Sequence, residues 1–444
     1  MPSDAEIIAS VRELLQWREA DRVRLTTIHD YLHGSQAHPV SPRGSPPDLI
    51  RLAKMSRVNV MKIVVNTVTQ CLYVDGFRQR LEAEDAPVWD IWQENKMDRG
   101  QIGVHRAALA YGVAYATVLP GDTAPEIKGY SPRRMTAIYG EDEDWPERAL
   151  LAIPMGNKWQ YRLYTDTSVF TVEGEPGQSP DSAELTLVDE TIEHNLGVTP
   201  VVRFLNEQDL DDDNEGEVEP LVDLQDQIDL TTFSLLVAQH YSAFRQRWIL
   251  GWVAKSEQEL IKSSAARILT FEDENIKIGE FEQTQLDGYI NSREESLKQA
   301  ASLSQTPVHE LIGSLVNLSA EALVAAEAGQ RRKVVERQTS FGESWELVLE
   351  LASRLGGQEI DEGAEVRWRD TEDRAFSATA DALVKIMSLG VPPQELWDRI
   401  PNTTKQELDR WKATAAKGSA IDQLTQLLSK QGLTDTGAGG TAAA

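Results

Sequence analysis

Apolar residues follow Ser3-x-x-Glu6 at spacings of three and four, through Ile7, Ile8, Val11, Leu14 and Leu15. A capping box followed by a one-sided apolar stripe predicts a helix near the N-terminus. Gly34 is suited to end it in a left-handed turn. Residues 35–48 hold Pro39, Pro42, Pro46 and Pro47 and read as a loop. Asn59 is a candidate cap for a helix with Val64, Val65, Val68 and Leu72 on one face, before a short strand at Tyr73–Phe77. Pro87 opens a helix carrying Trp89 and Trp92, and a further helix, about Gln101–Tyr111, leads into a strand at Ala114–Leu119.

The period then changes. Between 126 and 205, short β-rich runs alternate with Gly and Pro turns: Met135–Tyr139, Leu150–Ile153, Gln160–Tyr164, Val169–Val172, Thr186–Glu193 and Val201–Leu205. This pattern predicts a mostly antiparallel region. An acidic stretch from Asp209 to Glu219 follows, and then Glu217–Trp248 runs without glycine and with one early proline, Pro220. As one helix it would be about 48 Å long. Leu221, Leu224, Ile228, Leu235 and Ala238 form a stripe that Val218, Val222, Leu236 and Phe244 widen, while Asp223, Asp226 and Asp229 line one edge. Arg245 and Arg247 at its end suit the helix dipole. A wide apolar arc beside an acidic edge suggests burial against copies of itself or inside a monomeric bundle.

A compact insert spans 249–285, with a small helix (Glu257–Lys262) and strand-like runs at Arg267–Phe271 and Ile276–Phe281. A second helix covers about Leu286–Ser304, stopped by Thr306-Pro307. Ser319 can cap a third long helix with Leu323, Val334, Phe341, Trp345, Val348 and Ala352 on one face, ended by Gly356-Gly357. Arg374–Leu389, Pro393–Ile400 and Thr404–Ala416 look helical, and 432–444 reads as a disordered tail. The fold class is α+β, predominantly helical.

Composition narrows the function. With 44 Lys and Arg against 71 Asp and Glu, the chain of 444 residues carries −27. That balance argues against gripping DNA through one large basic surface. The single cysteine, Cys71, excludes an intrachain disulfide and is expected to be a small core residue. The start MPSDAEIIAS lacks the marks of a signal peptide, and no run is long and apolar enough for a membrane span, so a reducing cytoplasm is expected.

Candidate chemistry is sparse. His29 and His33 stand one helical turn apart, as in H-E-x-x-H zinc sites, but no third ligand is evident. Asp211-x-Asp213-x-Glu215-Gly216 begins like a calcium loop, yet Val222 occupies the twelfth position where a bidentate Glu is required. Neither a phosphate loop nor G-x-G-x-x-G nor G-x-S-x-G occurs. Arg331-Arg332-Lys333 reads as a salt-bridged helix face. No catalytic residue, metal or cofactor is expected. The alternatives by class are a hydrolytic enzyme with an unrecognised carboxylate pair and a monomeric acidic helical scaffold.

Longer strings carry a resemblance. GEVEPLVDLQDQIDLTTFSLLVAQHYSAFRQRWILGW (216–252), LYVDGFR (72–78), HRAALAYGVAYATVLP (105–120), SPRRMTAIY (131–139), TFEDENIKIGEFE (270–282), NLSAEALVAAEAG (317–329) and FGESWE (341–346) are similar, in this order, to portal proteins of long-tailed bacteriophages, especially those of actinobacteria. The resemblance covers roughly 5–415. It implies a ring of about twelve copies at one capsid vertex in the virion, assembled in the host bacterial cytoplasm. It divides the chain into an α/β wing (1–215), stem helix 1 (216–250), an α/β clip (251–285), stem helix 2 (286–304), a tunnel loop (305–318), a long wing helix with a following strand (319–369) and a helical crown (370–431).

On this resemblance, the DNA-facing loop residues are Gln305, Thr306, Pro307, His309, Glu310, Gly313, Ser314, Val316 and Asn317. Asp223, Asp226 and Asp229 become stem acids facing the channel. Arg267, Leu269, Phe271, Ile276, Ile278 and Phe281 become the clip interface. The implied partners are the terminase large subunit, head-completion or adaptor proteins, major capsid and scaffolding proteins, and double-stranded DNA passing without sequence specificity. No membrane is implied.

Overall fold

The computed structural model describes residues 2–39, 45–79, 86–141, 144–175, 184–208, 214–243, 247–250, 277–280, 285–313, 320–361, 363–369, 376–400, 403, 407–408 and 410–415. The chain divides into two units: 1–80 with 84–368, and 81–83 with 369–444.

In the first unit, helix α1 (Asp4–His33) starts at the predicted capping box and ends at Gly34, φ +70°. The predicted 35–48 loop is shorter than expected. Pro47 opens helix α2 (Pro47–Met55), because a proline in the first helical turn forfeits no hydrogen bond. Helices α3 (Met61–Thr69), α4 (Trp89–Glu94) and α5 (Met97–Tyr111) follow, with strand β1 (Val74–Arg78) between α3 and α4. Asn59 Oδ1 accepts the Lys62 N–H at 3.1 Å, supplying the predicted cap.

Strands β2 (Val113–Leu119), β3 (Glu126–Tyr130) and β9 (Val201–Leu205) form an antiparallel sheet in the order β3-β2-β9. Strands β4 (Met135–Tyr139), β5 (Pro146–Met155), β6 (Lys158–Tyr164), β7 (Ser168–Gly174) and β8 (Leu185–Glu193) form a second antiparallel sheet in sequence order. Alternation along β5 sends Leu150 and Ala152 to one face and Ala149 and Leu151 to the other. The first face packs on Ile7, Val11 and Leu14 of α1, the second on Tyr115, Leu119 and Val201. Both faces of the sheet are therefore covered.

Helix α6 (Val222–Ala243) follows a 3₁₀ turn, Glu219–Leu221. The predicted helix through Trp248 is corrected at its end. Arg247–Leu250 is strand β10, antiparallel to β11 (Lys277–Glu280), with Ile249 opposite Ile278. Trp248 and Ile249 favour a pleated pairing, and the partner lies too far along the chain for local periodicity to reveal it. The predicted clip strand Arg267–Phe271 lies outside the described residues, as do the Glu257–Lys262 helix and the 432–444 tail.

Helices α7 (Asp287–Leu303), α8 (Val308–Ile312) and α9 (Ala320–Gly356) complete the long-helix part. Strand β12 (Glu365–Trp368) returns to pair with β1. The main core is where the C-terminal half of α9 meets β2, β9, α4 and α5. Trp92 stacks on Trp89 at 5.0 Å and meets Trp345 edge-on at 4.9 Å, and Phe204 meets Trp345 at 4.5 Å. Cys71 is half-buried at the rim of this core, its thiol 3.4 Å from the Thr67 carbonyl.

In the second unit, helix α10 (Phe376–Ser388) precedes a 3₁₀ segment, Pro393–Arg399, and Trp397 meets Trp411 edge-on at 6.4 Å.

Candidate functional site

The three long helices converge where α6 begins, and two backbone strands cross there without room for side chains. A Cβ on Gly112 would lie 2.2 Å from the Asn214 carbonyl oxygen, and one on Gly216 would lie 2.3 Å from that of Ala110. The Glu217 N–H donates to the Leu109 carbonyl at 2.7 Å. From α1, Arg24 donates to both Glu219 carboxylate oxygens, at 3.0 and 2.9 Å, and to the Asn214 carbonyl at 2.9 Å. The root of α6 is thereby fixed to the sheet region.

Glu217 itself is buried. Lys333 Nζ of α9 donates to its carboxylate at 2.6 Å and to the Ser304 carbonyl, at the end of α7, also at 2.6 Å. Arg337, one turn further along α9, is buried and lies 3.6 Å from the other Glu217 oxygen. Its Nε donates to Asn206 Oδ1 at 2.9 Å, and it pairs with Glu336 and Glu207 at 2.8 and 3.4 Å. Buried charges are retained where they are paired and hydrogen-bonded. Lys333 and Arg337 satisfy that condition, and Glu217 meets it through Oε2, while its Oε1 is paired with Arg337 by charge without a hydrogen bond. The cluster ties α6, α7, α9 and the end of β9 together.

The segment after α7 leaves the cluster through a Schellman-type turn. Gln305 is left-handed at φ +52°, and the Thr306 N–H donates back to the Ala301 carbonyl at 2.9 Å. A non-glycine residue there costs about 1 kcal/mol. Thr306 is buried, and the Ser304 hydroxyl lies 2.9 Å from Thr306 Oγ1. Residues 305–313 are not the open loop expected from sequence. Pro307 starts the short helix α8, which carries His309 and Glu310 and ends at Gly313, φ +72°. Pro307 is the N-cap of α8, at φ −56° and ψ 130°, so the chain has already left α7 through the turn at Gln305 before α8 begins at Val308. Ser314, Val316 and Asn317 lie outside the described residues.

The three stem acids separate. Asp223 is exposed. Asp226 is exposed and accepts the Tyr31 hydroxyl at 2.6 Å. Asp229 is a correction: its side chain does not face outward but is buried, accepting from Gln36 Nε2 at 3.0 Å, the Val58 N–H at 3.0 Å and Gln225 Nε2 at 2.8 Å. Burial pushes its carboxyl pKa up, against the pull of those three donors. Of the clip residues, Ile278 falls in β11, while Arg267, Leu269, Phe271, Ile276 and Phe281 lie outside the described residues.

Reactive side chains elsewhere have structural partners. His29 Nδ1 lies 2.8 Å from Arg133 NH1 and 3.1 Å from the Tyr111 hydroxyl, and its ring centroid is 4.1 Å from that of His33. Among the described residues, no group of three or more His, Cys, Asp or Glu side chains could hold a metal. No helix among them is long and apolar enough to cross a membrane. Sequence reasoning missed Glu217 and Arg337. The signal was present: Arg337 interrupts the apolar stripe Val334–Phe341–Trp345 at helical spacing, and a cation on a core face requires a buried partner. Arg331 does sit on a salt-bridged face, 3.4 Å from Glu327.

The sequence profile described as "Phage portal protein, SPP1 Gp6-like" matches residues 13–419. The chain is 28% identical over 404 residues to a portal protein of Mycobacterium phage D29, covering 83% of this chain and 81% of that one. It is 28% identical over 377 residues to a portal protein of Mycobacterium phage L5, covering 77% and 75%. Among solved structures, a chain from the virion of the native gene transfer agent particle aligns at 14% identity and a TM-score of 0.47, over 85% of this chain and 99% of that one. A chain from the neck of that native particle, computed with C12 symmetry, aligns at 14% and 0.47, over 79% and 91%.

Proposed function

The chain belongs to the SPP1 Gp6-like phage portal protein family, and from that membership we propose how its parts divide the work of a portal. It is a structural, ring-forming protein of the virion vertex and not an enzyme. We place about twelve copies in the ring, closed through one heterologous interface repeated around an axis. Residues 1–215 form the wing, α6 and α7 the stem, and the β10–β11 ribbon the base of the clip. Residues 305–318 form the tunnel segment and 370–431 the crown.

The observation that carries this reading is the family match across 13–419. The charge is consistent with it. A conduit must let DNA slide, and at −27 per chain about twelve copies carry roughly three hundred negative charges, which discourages phosphates from sticking. Double-stranded DNA would pass without base readout, since residues 305–318 contain no Lys or Arg. The terminase large subunit would dock at the clip during packaging, and head-completion or adaptor proteins would take the same face afterwards. Major capsid and scaffolding proteins would surround the wing as the head assembles in the host cytoplasm.

Native mass spectrometry and negative-stain microscopy of the purified chain test the reading. Rings with a central hole and a mass near twelve copies are the expected result. A chain that stays monomeric both alone and when co-expressed with its capsid and scaffolding proteins would overturn it. Replacing 251–276 by a Gly/Ser linker, which leaves the β10–β11 ribbon in place, is expected to abolish terminase capture while rings persist. Unchanged capture would remove the clip from the role.

A further inference from the structure

We propose that Lys333 is the positioning residue of the 305–313 segment: its buried ammonium latches the last turn of α7 to the root of α6 and so sets the direction in which the segment leaves the stem. The latch stands on its own geometry; its consequence for DNA rests on the tunnel reading above.

The last carbonyls of a helix have no partner within it. That of Ser304 is met by Lys333 Nζ at 2.6 Å, from a different helix. A cation is favoured there by the helix dipole, and the same ammonium has a further donor for Glu217, again at 2.6 Å. Lys333 and Glu217 side chains are 8% and 7% exposed, so water cannot readily substitute for either bond. The next residue, Gln305, holds φ +52°, a conformation that a non-glycine residue keeps only when its surroundings impose it. Thr306 and Pro307 are buried directly after it, whereas Gly313 is exposed. The direction of the segment is therefore decided over Ser304, Gln305 and Thr306, where the Lys333 bond acts.

The neighbouring cation provides an internal comparison. Arg337 shares Glu217 with Lys333, but its other partners among the described residues are Asn206, Glu207 and Glu336, none of them in the turn after α7. The cluster thus has two cations with different addresses: Lys333 toward the 305–313 segment, Arg337 toward the end of β9. A purely structural cluster would respond alike to loss of either.

Hydrogen–deuterium exchange on the assembled full chain separates the two. Lys333→Met is expected to raise amide exchange across 304–313 about tenfold, at the Thr306, Glu310 and Gly313 N–H groups bonded to Ala301, Pro307 and His309. Arg337→Met is expected to leave that window within about twofold of wild type and to deprotect the 203–217 region instead. Equal deprotection of 304–313 by both variants, or none by Lys333→Met, overturns the latch. Should Lys333→Met fail to fold, the outcome is read on Lys333→Arg, which keeps charge and donors. Wild-type protection at 304–313 supports the latch and its loss overturns it. Virions carrying Lys333→Met are expected to retain less DNA. Altered exchange with wild-type DNA content would leave the latch standing and reject the tunnel reading.

Discussion

Trp345 donates its indole N–H to Nε2 of His105 at 2.8 Å, in the middle of the core. The other ring nitrogen, Nδ1, lies 3.2 Å from the Leu72 carbonyl. Since Nε2 accepts, Nδ1 must carry the only proton, and His105 is held as the neutral tautomer. Protonation would put a second N–H against that of Trp345 in a fully buried site.

Burial therefore depresses the His105 pKa, to about 3, with the Leu72 carbonyl pulling weakly the other way. The unfolded chain binds a proton near pH 6.5 that the folded chain refuses. The contribution to stability is complete above that pH and is lost as pH falls toward 3, at about 1.4 kcal/mol per unit. His105→Phe keeps a ring against Phe341, 5.3 Å away, but leaves the Trp345 N–H unpaired, at a cost of about 1–3 kcal/mol near neutrality. Its stability is expected to fall less steeply than wild type between pH 6 and 4. Denaturant unfolding at several pH values checks this, and parallel acid limbs would refute it.

Asp229 and Asp223 look equivalent in sequence and should behave differently. Asp229→Ala removes the acceptor of three donors, two side-chain amides and the Val58 N–H; Gln225 Nε2 keeps the Val58 carbonyl, while the Gln36 amide and the Val58 N–H lose this acceptor. The expected loss is about 3 kcal/mol, read from the denaturant midpoint of the full chain. Asp223→Ala removes an exposed acid and is expected to leave the midpoint unchanged. A result in which both variants match wild type would mean that Asp229 is not the acceptor linking α6 to Gln36 and Val58.

The contrast between those two acids marks how far local pattern carries. Elements set by nearby residues were legible: the Ser3–Glu6 box, the Gly34 terminus, and β4 to β9, whose pleat alternation shows directly in the residues. What was not legible depends on pairing across the chain. Val74–Arg78 finds its partner at Glu365–Trp368, and Arg247–Leu250 leaves a helical pattern because Lys277–Glu280 lies beside it. The stripe Asp223–Asp226–Asp229 is a helical repeat, and nothing within it says that Gln36 and Val58 will cover its last member. In the Glu217–Lys333–Arg337 cluster the cation on a core face was legible but its partner was not, since Glu217 lies over a hundred residues from both Lys333 and Arg337.

Two glycines with positive φ make a second internal contrast. Gly112, φ +88°, has the Asn214 carbonyl where a Cβ would go, whereas Gly156, φ +64°, has open space. Gly112→Ala combines backbone strain with a backbone clash and is expected to cost about 2–4 kcal/mol. Gly156→Ala carries only the strain, about 1 kcal/mol. Thermal or denaturant midpoints of the two variants should fall in that order. Equal midpoints would show that the crossing of 110–112 with 214–216 is not rigid.

Gly313 allows the tunnel reading to be tested without disturbing the junction. It is left-handed, it ends α8, and among the described residues no heavy atom beyond its chain neighbours lies within 4 Å of a Cβ built on it. An added Cβ there strains the turn by about 1 kcal/mol but meets none of the described residues. Gly313→Asn is the matched control, because Asn tolerates the left-handed region. Gly313→Trp presents a large ring at the same point. If this segment lines the narrowest part of the channel, both variants should assemble rings, and virions carrying Gly313→Trp should hold less DNA than those carrying Gly313→Asn. Equal DNA content, with incorporation of each variant into virions confirmed, would place the constriction elsewhere on the chain.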